Sequence, residues 1–383
     1  MFSINQISHL KDKATPYYFY DLNLLHLTLN ELTKAVKPYN YHLHYALKAN
    51  SNDEILELIN NYHLGADCVS GNEVKKAIEM GFNSKKIVFA GVGKTDQEIN
   101  LAIDSDLFSI NCESLEEIQI INQMAYLKEK KVPIAIRINP NVNANTHHYI
   151  TTGLKDNKFG ISTSQIPDLV KEITSLKNIT LEGIHFHIGS QIIDLIPFEN
   201  LCSSANQIIK QLKDSGIKLK HLNLGGGLGI DYHNPDKNNI PDFRSFFKLF
   251  SDNLNIDSDI EIHFELGRSI VGQCGTLISK ALYIKKGLDT NFIILDAGMT
   301  DLIRPALYQS YHKIENISSA ESQVEKYDVV GPICESSDCF GKSVLLPKSQ
   351  RNDIFAIRSA GAYGEVMASN YNLREKPKRY FSA

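Results

Sequence analysis

The 383-residue chain reads as an α/β protein, a (β/α)8 TIM-like barrel followed by an antiparallel β domain. Three observations predict this. Over the first two-thirds, eight short β-rich runs alternate with segments whose apolar residues recur at helical spacing. Polar and glycine-rich residues gather where those runs end, the face on which such barrels carry their sites. After about Gly272 the helical spacing fades and β-like runs follow one another. A doubly wound open sheet is the competing arrangement, and periodicity alone does not separate the two.

The expected barrel strands are Tyr41–Lys48, Leu64–Val69, Lys86–Ala90, Leu107–Asn111, Val132–Ile138, Leu181–His187, Leu219–Leu224 and Glu261–Glu265. Helix starts are marked by Ser70, Thr95 and Ser114, each followed three residues later by Glu73, Glu98 or Glu117, the capping-box spacing. Asp21 is placed to cap a helix running to about Val36. The later β runs are Thr276–Lys285, Phe292–Leu295, Val324–Val330, Ser343–Leu346 and Ile354–Ile357. Pro16–Tyr20 has strand composition and is assigned to the same domain. The division is therefore 21–270 for the barrel, with 1–20 and 271–383 for the β domain. No linker rich in Pro, Gly or Ser separates them.

Composition narrows the function classes. Hydrophobic content of 43% and charged content of 22% are ordinary for a globular protein. A net charge of −4 gives no general attraction to nucleic acid or anionic membrane. No apolar run approaches the ~20 residues that span a bilayer, and the first residues lack a signal-peptide pattern. Six scattered cysteines without a Cys-x-x-Cys pair suit reduced thiols in a cytoplasmic enzyme.

Lys48 ends the first strand run, in Tyr45-Ala-Leu-Lys-Ala-Asn50. An ammonium in an apolar run is costly to bury unless paired, and a desolvated amine becomes nucleophilic; a lysine that snorkels to solvent is the plainer alternative. Further strand ends carry Asp67-Cys-Val-Ser70, Gly91-Val-Gly-Lys94, Arg137-Ile-Asn139, His185-Phe-His-Ile-Gly-Ser190, Gly225-Gly-Gly227 and Glu265-Leu-Gly-Arg268. The glycine run offers backbone amides suited to a phosphate, yet matches neither a dinucleotide fingerprint nor a P-loop. His185 and His187 suit either a metal pair, which would need further ligands from later strands, or stacking on a planar ring. Glu265 and Arg268 form a local ion pair in the plain reading, or a carboxylate facing a cofactor nitrogen. Cys334 lies in the polar loop Gly331-Pro-Ile-Cys-Glu-Ser-Ser-Asp338.

Taken in order, Tyr45–Asn50, His185–Gln191, Gly225–Gly229, Glu265–Arg268, Arg304-Pro-Ala-Leu-Tyr308, Cys334–Asp338 and Gly361-Ala-Tyr363 resemble the barrel-type pyridoxal-phosphate decarboxylases of basic amino acids, over essentially the whole chain. The resemblance implies an alanine-racemase-like fold, fold type III among such enzymes, and pyridoxal 5'-phosphate as cofactor. It implies that Lys48 carries the internal aldimine, His187 stacks on the ring, and Glu265 keeps the ring nitrogen protonated. Asp67 joins the cofactor site. Ser190, Gly226, Gly227, the Glu265–Arg268 turn with Gly267, and Tyr363 would hold the phosphate. Arg268, Arg304, Tyr308, Glu335 and Tyr363 would bind substrate, and Cys334 would donate a proton. No metal is implied. The cysteine loop of such enzymes reaches into the partner's site, which implies a homodimer with shared active sites acting on a small amino acid.

Arg304–Tyr308 suits a substrate with a second, retained carboxylate, because a bidentate arginine–carboxylate pair grips it without stabilising the carboxylate that leaves. Relatives that decarboxylate ornithine, arginine or a carboxylated polyamine lack this pattern and are the nearest alternative. A racemase of similar fold would prefer arginine to Glu265 at the ring nitrogen. A small cofactor-handling barrel would leave Cys334 and Tyr363 unexplained, and an amidohydrolase-like metalloenzyme is the remaining rival. Gly91–Thr95 stands where many relatives are asparagine-rich, and Glu365 departs from the pattern.

Overall fold

The computed structural model describes residues 13–142 and 158–382. Its chain divides into two units: one comprises Leu29–Gly229 and Asp242–Gly267, the other the residues up to Thr28, Ile230–Pro241 and Arg268 onward. Residues 1–12, assigned from sequence to the β domain, lie outside the described residues.

The first unit is the barrel. In chain order its strands are β2 (His42–Ala46), β3 (Gly65–Cys68), β4 (Ile87–Phe89), β5 (Ser109–Cys112), β6 (Val132–Asn139), β8 (Ile179–His185), β9 (His221–Asn223) and β10 (Glu261–Leu266). The second unit opens with β1 (Tyr17–Tyr20), and β7 (Ile161–Ser162) is a two-residue strand beside β6. Each barrel strand pairs in parallel with the next, β5 joins β6, and β10 returns to β2, which closes the circle. The register places His263 beside His42 and Glu265 beside His44 on the closing seam. The strand stops at Ala46, two residues short of the end expected for Tyr41–Lys48, so Lys48 lies outside it. It sits in the 3-10 turn Leu47–Ala49 that follows β2.

Helices begin where the caps placed them. Thr95 and Glu98 form a reciprocal capping box at the helix Asp96–Asp104. Ser70 and Ser114 each accept from the backbone three residues on, and Asp21 Oδ1 accepts from the Leu24 amide at 3.0 Å. Outside the strands, the helices Ile196–Asp214 and Phe243–Asn253 bury Phe198, Phe246, Phe247 and Phe250 against Phe264 of β10. Edge-to-face pairs such as Phe198–Phe246, 5.1 Å between centroids, add ~1 kcal/mol each beyond buried area.

The second unit is a sheet of β1, β11 (Gly275–Lys286), β12 (Asn291–Leu295), β13 (Ile314–Asn316), β14 (Val324–Val330), β15 (Cys339–Pro347), β16 (Ile354–Ile357) and β17 (Lys378–Phe381). Most neighbours are antiparallel, but β12 pairs with β14 and β1 with β17 in parallel. Period-2 alternation carries no strand direction, so these two pairings lay beyond the sequence. The sheet core gathers Tyr17, Phe19, Ile278, Ile354 and Ala356. Glu365 belongs to this architecture: it accepts from Tyr20 Oη at 2.7 Å and pairs with Arg379 at 3.1 Å.

Candidate active site

At the C-terminal end of the barrel strands, side chains from five strands converge around one buried acid. Glu265 is 5% exposed. Its Oε2 accepts from His185 Nε2 at 3.0 Å, and its Oε1 accepts from Asn223 Nδ2 at 2.7 Å and Asn111 Nδ2 at 3.4 Å. A carboxylate offers about four lone-pair positions. Three are used, and one on Oε2 remains for a further donor. Burial alone would raise the Glu265 pKa, but the His185 contact and the Lys48 charge outweigh it and hold the group well below its ordinary value.

Lys48 Nζ donates to Asp67 Oδ2 at 2.5 Å, with the lysine side chain one-third exposed and the aspartate fully buried. Burial and then the charge of Glu265 raise the Asp67 pKa, against the opposing pull of Lys48. Asp67 Oδ1 is buried without a hydrogen-bond partner, a position of the kind that a ligand or water completes. His187 follows β8, half-buried, and its Nδ1 accepts from the Gly226 amide at 3.4 Å. Burial, with the charges of Arg137 and Lys48, pushes its pKa well below the ordinary value, so the ring is neutral.

The glycine turn after β9 is built to approach other backbone closely. A Cβ at Gly226 would strike the carbonyl oxygen of Glu265, and Gly227 has φ +110°, where side-chain-bearing residues are strained. Asn223 ties this turn to the acid, because its Oδ1 accepts from the Gly225 amide at 2.9 Å while its Nδ2 holds Glu265. Ser190 is half-buried two residues past Ile188, and Gly267 is buried just beyond β10. Lys94, 1% exposed, donates to Glu117 at 2.6 Å and to the Gly91 and Asn111 carbonyls at 2.8 Å. The atypical Gly91–Thr95 loop thus carries the lysine that braces Asn111. Arg137 pairs with Glu113 at 2.7 Å.

In the sheet unit a second cluster gathers around Tyr232. Arg268 and Arg304 both donate to its hydroxyl, at 2.6 and 2.9 Å. Burial would raise the Tyr232 pKa, yet the two guanidiniums bring it below its ordinary value. Arg304 also donates to His312 Nε2 at 2.9 Å, and His312 Nδ1 therefore carries the proton it gives to the Arg358 carbonyl at 2.9 Å. Arg304 is 3% exposed, its Nε has no partner, and no carboxylate pairs with it among the described residues. Tyr363, at φ +56°, places its ring 5.0 Å from the Arg268 guanidinium. Tyr308 is half-buried at the end of the helix Arg304–Tyr308.

The loop before β15 holds Cys334 and Glu335. Asp338 shapes it by accepting from the Ile333 and Met299 amides at 2.7 and 2.6 Å. Cys334 is exposed, its amide donates to Asn372 at 3.4 Å, and Glu335 accepts from Tyr371 Oη at 2.9 Å. All six cysteines are free thiols.

The structure thus brings Lys48, Asp67, His187, Gly226, Gly227 and Glu265 to one end of the barrel, and Arg268, Arg304 and Tyr363 around Tyr232. Asn111, Asn223, Tyr232 and His312 were not among the sequence candidates. For Asn223 a signal existed, since it immediately precedes the glycine run. The donor set suits pyridoxal phosphate: an amine for its aldehyde, an ionised acid with one lone pair to spare, a neutral flat ring and a bare amide turn.

Residues 24–272 match the family model of the pyridoxal-dependent decarboxylases, pyridoxal-binding domain. A diaminopimelate decarboxylase of Bacteroides thetaiotaomicron is 51% identical over 383 residues, covering 100% of this chain and 99% of that protein. The crystal structure of diaminopimelate decarboxylase from Helicobacter pylori complexed with L-lysine superposes with a TM-score of 0.92 at 38% identity, covering 98% of this chain and 93% of that one. A lysine/ornithine decarboxylase from Vibrio vulnificus complexed with putrescine shares the fold at 19% identity and a TM-score of 0.86. Among the described residues no helix is long and apolar enough to cross a membrane.

Proposed function

We propose that this chain, which belongs to the pyridoxal-dependent decarboxylases and within them to the diaminopimelate decarboxylases, removes one carboxylate from meso-2,6-diaminopimelate to give L-lysine and carbon dioxide. The observation that carries the substrate is Arg304. A buried guanidinium with an unpartnered Nε and no carboxylate of its own is a costly arrangement, unless an anionic ligand completes it. A distal carboxylate retained through the reaction meets that need. An ornithine side chain, ending in an ammonium, does not.

Pyridoxal phosphate, when bound, supplies a sink for the electron pair left at the α-carbon as carbon dioxide departs. Lys48, Asp67, His187, Ser190, Gly226, Gly227, Glu265, Gly267, Arg268 and Tyr363 would hold it. His185, Asn111 and Asn223 supply donors that offset the burial of Glu265 and keep its carboxylate ionised, so that it would hold the ring nitrogen in its protonated form. Asp67 orients the Lys48 amine. Arg268, Arg304 and Tyr308, with Tyr232 between the guanidiniums, grip the retained carboxylate, and Glu335 meets the distal ammonium. Cys334, an exposed thiol on a loop fixed by Asp338, gives its proton to the α-carbon.

On this reading the barrel carries the cofactor and the β domain supplies the substrate-binding and proton-donating residues. An exposed thiol on this loop suits a residue that completes a partner's site in a homodimer, and six unpaired thiols suit the cytoplasm. The test is spectroscopic. Purified protein supplied with the cofactor absorbs in the visible, borohydride abolishes the band, and Lys48→Ala lacks both band and activity. A colourless wild type would refute the lysine assignment.

A further inference from the structure

The opposite end of the barrel carries a second constellation that the decarboxylase reading does not use. Two His/Glu-x-His pairs, His42-Leu-His44 on β2 and Glu261-Ile-His263 on β10, lie side by side on the seam that closes the barrel. Strand alternation puts residues two apart on one face, so all four side chains share it. Candidate ligand atoms of His42, Glu261 and His263 lie within 4.8 Å of one another. They line a cavity of about 480 Å³ that also includes His44, Lys86 and Phe108.

Hydrogen bonding fixes which nitrogen of His263 is available. The Lys86 carbonyl lies 3.0 Å from His44 Nδ1 and can only accept, so His44 Nδ1 carries the proton. In the neutral ring expected of a residue 2% exposed, His44 Nε2 is then an acceptor. It lies 2.8 Å from His263 Nδ1, which must donate to it. His263 Nε2 is therefore left with a lone pair. That atom is buried, has no hydrogen-bond partner, and lies 3.4 Å from Glu261 Oε2. Two ligands each about 2.1 Å from a tetrahedral zinc ion stand about 3.4 Å apart. The His42 ring stacks on that of His263, centroids 4.7 Å apart, and a His42 ring nitrogen lies within 4.8 Å of both other ligand atoms.

We propose that His42, Glu261 and His263 bind one divalent transition-metal ion of the zinc class at the N-terminal mouth of the barrel, clamping the first barrel strand to the last. The carbonyl–His44–His263 relay is the outer-shell support that metal-ligating histidines commonly have. Two imidazoles with a single carboxylate favour zinc, nickel or cobalt over calcium or magnesium, which prefer oxygen donors. Lys86, whose ammonium donates to the His63 carbonyl at 3.2 Å, adds positive charge to the cavity and weighs further against a site that relies on charge alone.

The experiment titrates zinc into metal-free, untagged holoenzyme against a chromogenic chelator, with thermal melting in parallel. Wild type is expected to take up one zinc per chain and melt at higher temperature with zinc, while magnesium does neither. His42→Ala and the surface-exposed change Glu261→Gln are each expected to weaken uptake at least ten-fold and to abolish the zinc-dependent rise. Their metal-free melting and decarboxylation stay near wild type, since neither residue touches the cofactor end. Failure of wild type to compete with a chelator of micromolar affinity would overturn the proposal. Equal zinc uptake by wild type and both variants would overturn it too.

Discussion

Glu265 and Arg304 are both charged groups buried to within a few per cent, and they are provisioned in opposite ways. Glu265 is surrounded by donors from His185, Asn111 and Asn223, leaving one lone pair. Arg304 shares a tyrosine hydroxyl with a second arginine, donates to His312 and Ser310, and keeps an unpartnered Nε. An acid so well supplied stays ionised whether or not a ligand is present, which suits a resident cofactor. A cation so poorly supplied is completed only by a visiting anion, which suits a substrate that comes and goes.

The largest effect is expected at Arg304. Removing one partner of a buried charge pair costs about 3 kcal/mol, so Arg304→Met should raise the KM for diaminopimelate ~10²-fold while the cofactor's visible band stays intact. Steady-state kinetics with a spectrum of the same sample check both halves. Glu265→Gln should do the reverse, lowering kcat ~10²-fold with a smaller change in KM. If both variants moved the same parameter, the division of labour would be wrong.

Acid should sharpen the contrast between buried acids and buried histidines. Burial is the first cause that holds His44 down to about 4 and His221 and His312 to about 3. Unfolded histidine takes a proton near pH 6.5, so between that pH and about 4 the unfolded chain binds more protons. Stability therefore falls as pH falls through this window, by ~1.4 kcal/mol per pH unit for each such histidine. Asp301, raised to about 6 by burial, protonates first in the folded state and offsets about one of them. Melting temperatures between pH 7 and pH 5 should drop steadily, and a flat profile would contradict the neutral histidines. The smallest effect belongs to the capping box, where Thr95→Ala should cost ~1 kcal/mol and leave kinetics unchanged.

Much of the fold was legible because barrel strands are short apolar runs and their helices carry caps at fixed spacing. Lys48, Glu265 and the glycine turn stood out because each departs from its surroundings within a few residues. Partners that meet only through closure did not stand out. Asn111 and Asn223 come from β5 and β9 to hold an acid on β10, and no local pattern ties them together. Tyr232 lies far in sequence from Arg304 and looks like any loop tyrosine. The His42-x-His44 and Glu261-x-His263 spacings were visible, but their meaning depends on β10 pairing with β2 in one register.

The most direct test of the account is carbon dioxide release from meso-diaminopimelate and from ornithine, measured side by side on the wild-type holoenzyme. kcat/KM for diaminopimelate should exceed that for ornithine by at least ~10²-fold, the worth of one buried arginine–carboxylate pair. Equal or faster turnover of ornithine would contradict it.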